Sequence, residues 1–325
     1  MKSKILFCKI TTAYLLAAMC FSGCGSTNTT AVTSVDTNQP QETDETFEIS
    51  TTKGSRDNAI QALEVLADGT EVYSCDVAVI DASHKNEGYL CVKYTGTCQK
   101  VKLQISGSTG GTYTYNLLGS EFESFPLSVG SDTYKVAVYE NIADSQYSTA
   151  FSEDIDVTIE NEFGPFLYPN QYVSFTADSE TVTLGADLAY SANSDLDVVS
   201  NVYNYVVHNI SYDHDKANTV ASGYTADVDE ILEKGNGICL DYAAVMATML
   251  RSQRIPTKLD VGYAGTEYHA WVSTYIDDVG WVDGIIQFDG QNWQMMDPTF
   301  AANTDEKAFE EFFKDSTNYN VKYVY

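Results

Sequence analysis

Along residues 47–163 apolar and polar positions alternate with a period of two. The runs GYLCVKY (88–94), KVKLQIS (100–106), TYTYNLL (112–118), TYKVAVYE (133–140) and DIDVTIE (154–160) carry the pattern. Stretches rich in turn formers, SGSTGGT, LGSEFES and SVGSDT, separate them. Short alternating strands punctuated in this way predict an antiparallel, Ig-like β-sandwich. Ahead of the strands, RDNAIQALEVLA (residues 56–67) has the spacing of a short helix.

The rhythm changes at GPFLYPNQ (164–171), which marks the expected boundary of a second domain, residues 164–325. Val199, Val202, Tyr203, Val206 and Ile210 recur at three- and four-residue steps, predicting an amphipathic helix through DLDVVSNVYNYVVHNI. Its β-branched content gives weak intrinsic propensity, so packing must hold it. A short helix follows at Asp227–Lys234, and another begins at Cys239. Strand patterns return in TKLDVGYA, YHAWVSTYI, GWVDGIIQFDG and NWQMMDPTF, and AFEEFFK reads as a closing helix. Helices followed by antiparallel strands predict an α+β domain.

Composition changes the picture at the amino terminus. Met1–Lys4 is basic, Ile10–Phe21 is an apolar run too short for a membrane span, and Phe21-Ser-Gly-Cys24 follows it. This ending resembles the lipobox of bacterial lipoproteins, with phenylalanine in place of the usual leucine. The expectation is a signal peptide over 1–23, a lipid on Cys24 and a location on the outer face of the membrane; the alternative is an ordinary signal peptide cleaved nearby. Residues 24–46 contain no aromatic side chain and read as a disordered tether. The chain carries 46 acidic against 18 basic residues, a formal net charge of -28. Such an excess repels nucleic acid, which is set aside as a partner.

Beyond the signal and Cys24 the cysteines are Cys75, Cys91, Cys98 and Cys239. Cys91 and Cys98 flank VKYTGT, read as a hairpin turn, and could bridge across it; pairing among Cys75, Cys91 and Cys98 stays open. No CxxC or zinc spacing occurs, and His208 and His214 lie on either side of a helix end, so neither metal nor cofactor is expected.

Cys239 stands in GNGICLDYAAVMATML (235–250), where two glycines lead to a cysteine at the mouth of an apolar helix. Unpaired N–H groups and the macrodipole at a helix start favour a thiolate. Asn236 or Gly237 is the expected cap. Arg251 and Arg254 suit the carboxyl end, and Pro256 stops the helix. A thiol nucleophile needs a base, and Tyr268-His-Ala-Trp271 sets His269 in a strand pattern. A base needs an orienter, and Met296-Asp-Pro-Thr299 supplies Asp297.

The stretches GNGICLDYAAVMATMLRSQRIPTKL, YHAWV, GW and MMDPTF, with NVYNYVVHNISYD upstream, together resemble the transglutaminase-like superfamily, whose core follows the papain-like thiol-enzyme fold. The resemblance covers about residues 195–300. It implies Cys239 as nucleophile, His269 as base and Asp297 as orienter. The Cys239 backbone N–H is the natural first oxyanion donor; Tyr212 is either a second donor or a packed aromatic. The functional expectation is a cell-surface cysteine peptidase or amidase acting on protein or peptide amides. The alternatives are a protein-crosslinking transglutaminase and a non-catalytic surface binding protein.

Overall fold

A computed structural model describes residues 48–264, 267–277, 279–283, 286–288, 293–295 and 319–325. Residues 46–325 form one compact unit. Eight strands come first: β1 (Val72–Ser74), β2 (Ala78–Asp81), β3 (Tyr89–Tyr94), β4 (Val101–Gly107), β5 (Thr112–Leu117), β6 (Glu123–Pro126), β7 (Asp132–Ala143) and β8 (Gln146–Val157). They pair as two four-stranded antiparallel sheets, ordered β1-β2-β3-β6 and β5-β4-β7-β8. In β4 the alternation is realised literally: Val101, Leu103 and Ile105 are buried, whereas Lys102 and Gln104 are only partly covered. Leu90, Val92 and Phe125 of one sheet share a core with Leu103, Val136 and Ile155 of the other.

Among the described residues five α-helices follow: α1 (Glu180–Ala189), α2 (Asp195–Asn209), α3 (His214–Thr219), α4 (Val228–Lys234) and α5 (Cys239–Arg251). Helix α2 realises the predicted stripe, burying Val199, Val202, Tyr203 and Val206. The Ser194 hydroxyl accepts the Asp197 N–H at 3.2 Å while the Asp197 carboxylate takes the Ser194 N–H, a reciprocal cap. Two-residue strands β9 (Ser211–Tyr212) and β10 (Asn236–Gly237) pair in parallel. Then come β11 (Thr257–Ala264), β12 (Glu267–Ile276), β13 (Gly280–Asp283), β14 (Ile286–Phe288), β15 (Trp293–Met295) and β16 (Tyr319–Val324). The main sheet runs β13-β12-β11-β16, with β14 and β15 as a separate hairpin.

Helix α5 is the centre of this half, buried from Asp241 through Arg251. Arg251, fully buried, donates to the backbone oxygens of Thr257, Tyr168 and Tyr325 at 2.7–2.9 Å. Burial lowers its pKa to about 9, which leaves it charged at neutral pH against the negative end of the helix. Strand β16 ties the two halves together. The Ser128 hydroxyl donates to the Val324 carbonyl at 2.5 Å, and Tyr323 packs on Tyr113 with ring centroids 5.6 Å apart.

Two expectations are corrected. Residues 56–67 form no helix. Together with Gly54 they run as a strap whose N–H groups go to carbonyls at or beyond helix ends: Gly54 to Tyr190 at 2.8 Å, Arg56 to Ala192 at 3.0 Å and Gln61 to Ser252 at 2.9 Å. Carbonyls at helix carboxyl ends lack intrahelical partners, so these external bonds outcompete a short local helix. VKYTGT is not a hairpin either, because β3 and β4 belong to different sheets. Cys91 is buried inside β3 with its sulfur 3.6 Å from the Leu66 carbonyl. The Cys98 sulfur instead approaches the carbonyls of Lys100 and Asn141. Cys75, Cys91, Cys98 and Cys239 are all free thiols.

Candidate active site

The β9–β10 ladder sets Tyr212 opposite Gly237, two residues before Cys239. Ile238, rather than the expected Asn236 or Gly237, occupies the cap position of α5. Its side chain has no acceptor, so the helix caps itself from within: the Asp241 carboxylate reaches back to the Ile238 N–H at 2.8 Å. Gly237 is required for this, since a Cβ there would lie 2.7 Å from the Asp241 Cβ.

Asp241 is fully buried and is bound by Lys216 at 2.5 Å and by the Tyr224 hydroxyl at 2.8 Å. Burial opposes the charge of Lys216, but the bonds to Asp241 and Tyr224 outweigh it, so its pKa is raised. An uncompensated carboxylate in this place would cost several kcal/mol, and the lysine offsets much of that. The residues linking α3, the 220–227 segment and α5 were not singled out from sequence. The one available signal was an aspartate two residues after the cysteine, which also fits a simple first-turn acid.

Cys239 opens α5, and the nearby backbone N–H groups of Ala270 and Leu240 favour its thiolate form. Ala270 directly follows His269 on β12, so the thiol sits against the histidine strand. Burial pushes the thiol pKa above its ordinary value; the N–H groups work in the opposite direction, and the neighbouring Asp241 adds to the rise. The helix start therefore does not by itself produce a resting thiolate. His269 is 9% exposed, and burial lowers its pKa. Its Nε2 is buried with no hydrogen-bond partner among the described residues. Both directions favour the uncharged forms, a thiol at Cys239 and a neutral imidazole at His269.

His269 pairs across the sheet with Gly262, where β11 bulges against β16. A Cβ on Gly262 would lie 2.1 Å from the Asn320 carbonyl, so glycine permits that close approach. Trp271 stacks near His269 with centroids 6.3 Å apart. On β11 the buried Asp260 carboxylate accepts from the Ser273 hydroxyl. Tyr212 is half-buried; burial, then Cys239 and Asp241, raise its pKa, which puts its ring in the same electrostatic neighbourhood as the thiol. Asp297 and Cys24 lie outside the described residues.

Residues 182–284 match the family model of the transglutaminase-like superfamily. The chain is 33% identical over 97 residues to the UPF0252 protein MJ1282 of Methanocaldococcus jannaschii, covering 26% of this chain and 27% of that protein. Among solved structures, a presumed cysteine protease from Cytophaga hutchinsonii aligns with a TM-score of 0.31 and 13% identity, over 66% of this chain and 67% of the other. Red sea bream transglutaminase aligns with a TM-score of 0.27 and 12% identity, over 65% of this chain and 48% of the other. The α+β half thus contains a transglutaminase-like core, and the family match spans both Cys239 and His269.

Proposed function

We propose that the protein is a thiol acyl-transfer enzyme, a cysteine peptidase or amidase acting on protein or peptide amides. The observation that carries the reading is the seat of Cys239: on the first turn of a buried helix that packs against the His269 strand β12, with the Ala270 N–H favouring its thiolate. In the proposed cycle His269 takes the thiol proton as sulfur attacks the carbonyl carbon. The C–N bond then breaks while His269 returns that proton to the departing amine, leaving a thioester. Water next attacks the thioester with His269 as base, the C–S bond breaks, and the sulfur recovers its proton. The Cys239 N–H and the Tyr212 hydroxyl serve the developing oxyanion, and Asp297 orients the imidazole. We further propose that a lipid on Cys24 holds the protein at the outer membrane face, where the envelope supplies polypeptide substrates; palmitate labelling that survives Cys24→Ala would refute the anchor.

The test of the chemistry offers a glutamine-containing peptide together with a labelled amine. Hydrolysis exceeding amine incorporation, and lost in Cys239→Ala, is the expected result. Incorporation in excess would make the protein a crosslinking enzyme, and no turnover of any amide would leave a binding protein.

A further inference from the structure

Helix α3 buries none of its six residues, so apolar packing does not account for it. What it sends inward is a cation. Lys216 is fixed at both ends: its backbone N–H goes to the Asp213 carboxylate at 2.8 Å, and its ammonium donates to Asp241 at 2.5 Å and to the Tyr224 hydroxyl at 2.8 Å. Asp213 in turn accepts from the Asn236 side chain at 3.3 Å, which ties the start of α3 to β10. Tyr224 stands on an irregular segment and donates to the other oxygen of Asp241 at 2.8 Å. The preceding Gly223 has a φ of +83° and lies so close to β5 that a Cβ would meet Asn116 Nδ2 at 2.1 Å. An exposed helix and a loop thus converge on one carboxylate, two positions along α5 from the thiol.

That carboxylate serves the backbone and opposes the chemistry. The Ile238 N–H needs an acceptor that its own side chain lacks, and Asp241 supplies it. An anion in this place disfavours a second one on Cys239, which is among the causes of the raised thiol pKa. The other titratable groups about the sulfur are Tyr212 on β9 and Tyr268 and His269 on β12. Both tyrosines are held above their ordinary value and His269 below its own, so all three are uncharged at neutral pH. Of these groups Asp241 alone brings a full charge to the thiol, and Lys216 is its counterion. Fold stability does not call for such a pair, since apolar residues of similar volume often serve a buried site as well.

We propose that Lys216 is a positioning residue for the reaction: it cancels the field of Asp241 at the sulfur and, with Tyr224, holds that carboxylate on the Ile238 N–H, so that α5 is capped without penalising the attacking thiolate. The inference rests on the proposed acyl transfer for its purpose; the coupling of lysine to sulfur needs no turnover. Removing the ammonium leaves an unpaired buried anion next to an atom that must itself become one. Removing both charges leaves the sulfur as it was. The same bonds bear on Tyr212, because Asp213 directly follows it and donates its own N–H to the Gly237 carbonyl at 2.9 Å.

The experiment uses the full-length chain and follows iodoacetamide alkylation of the Cys239 peptide by mass spectrometry. At about pH 8, below the ordinary thiol value of 9.0, the rate follows the thiolate fraction. Lys216→Met lowers that rate about tenfold, the size expected of one charge uncovered in a partly buried site. Lys216→Met combined with Asp241→Asn returns it to within about threefold of wild type, since charge and counter-charge leave together. Asp241→Asn alone keeps an acceptor for the Ile238 N–H and does not lower the rate. Lys234→Met removes an exposed ammonium paired with Glu230 and changes the rate less than about twofold. General loosening of the fold would speed labelling in every variant, so a slowed Lys216→Met beside an unslowed Asp241→Asn separates the two roles. A rate in Lys216→Met equal to or above wild type, a fall in Asp241→Asn, or an equal fall in Lys234→Met would overturn the proposal. If Lys216→Met does not fold, the double variant and Asp241→Asn decide, and a tenfold loss in either is the overturning result. With a glutamine-containing peptide, Lys216→Met lowers kcat by about the same factor at constant KM. Absence of amide turnover in every protein, beside the expected order of labelling, would count against the enzyme reading and leave the coupling standing.

Discussion

The two halves of the molecule treat buried charge differently. Among the described residues, the strand half buries one charged side chain, Asp81, and its oxygens go to the N–H groups of Gly69 and Ser83 in nearby turns. The helical half buries Asp241, Arg251, Asp260 and His269, three of them on α5 or β12 and the fourth on the neighbouring β11. The first half is stabilised by apolar faces meeting. In the second, ionisable groups are kept out of water at a cost that packing and pairing offset. Desolvated titratable groups gathered around one helix and its neighbouring strands are a marker of chemistry, and the contrast accords with the proposal that the helical half reacts and the strand half frames.

Substitutions can break or sharpen that contrast. The largest effect expected is from Cys239→Ala, with a loss of kcat of about 10⁵–10⁶ at unchanged circular dichroism; residual turnover within tenfold of wild type would place the chemistry elsewhere. Asp297→Asn comes next, lowering kcat by about 10⁴ through misorientation of the imidazole, with KM nearly constant. In stability, Asp241→Ala removes one partner of a buried pair and costs about 3–5 kcal/mol in urea unfolding, together with activity. Leu103→Ala in β4 costs about 3 kcal/mol but leaves kcat intact at temperatures where the protein stays folded. If the two variants lost activity in the same proportion to stability, the division between reacting and framing halves would collapse.

The smallest effects concern pH. His269 has a pKa below its ordinary 6.5 in the folded chain, so its contribution to stability is complete above 6.5 and declines as pH falls toward the folded value. The Cys239 thiol is raised above its ordinary 9.0, so its contribution holds below 9.0 and declines as pH rises through the folded value. Urea midpoints of wild type and His269→Gln should converge above pH 6.5 apart from a constant offset and change their separation below it. Alkylation of resting Cys239 by iodoacetamide should climb only above pH 9.0, since the raised thiol ionises there; a rate already at its plateau at pH 7 would show a preformed thiolate.

Much of this was legible in the chain. The stripe Val199, Val202, Tyr203 and Val206 specified α2 because a helix buries what recurs at its own period. The alternation in KVKLQIS specified β4 for the same reason at period two. The motifs around Cys239 and His269 were readable as a resemblance, and the transglutaminase-like match spans both positions. Other features were hidden because they depend on distant partners. RDNAIQALEVLA has helical spacing, yet the free carbonyls around Ala192 and Ser252 claim its N–H groups from more than a hundred residues away. Helix α1 was missed because ETVTLGADLA combines threonines and a glycine of low propensity, and only its packing against α5 makes it a helix. Lys216 and Asp241 are 25 positions apart, and no local pattern pairs them.

The strap has a practical consequence for anyone dissecting this protein. A fragment begun at residue 164, where strands give way to helices, would carry every side chain implicated in the reaction and still leave Tyr190, Ala192 and Ser252 without the donors that Gly54, Arg56 and Gln61 supply. It would also strand the guanidinium partner of Asp195 on the discarded piece. A fragment begun upstream of Gly54 keeps these contacts, and proteolysis within 54–61 should loosen α5 from its far end.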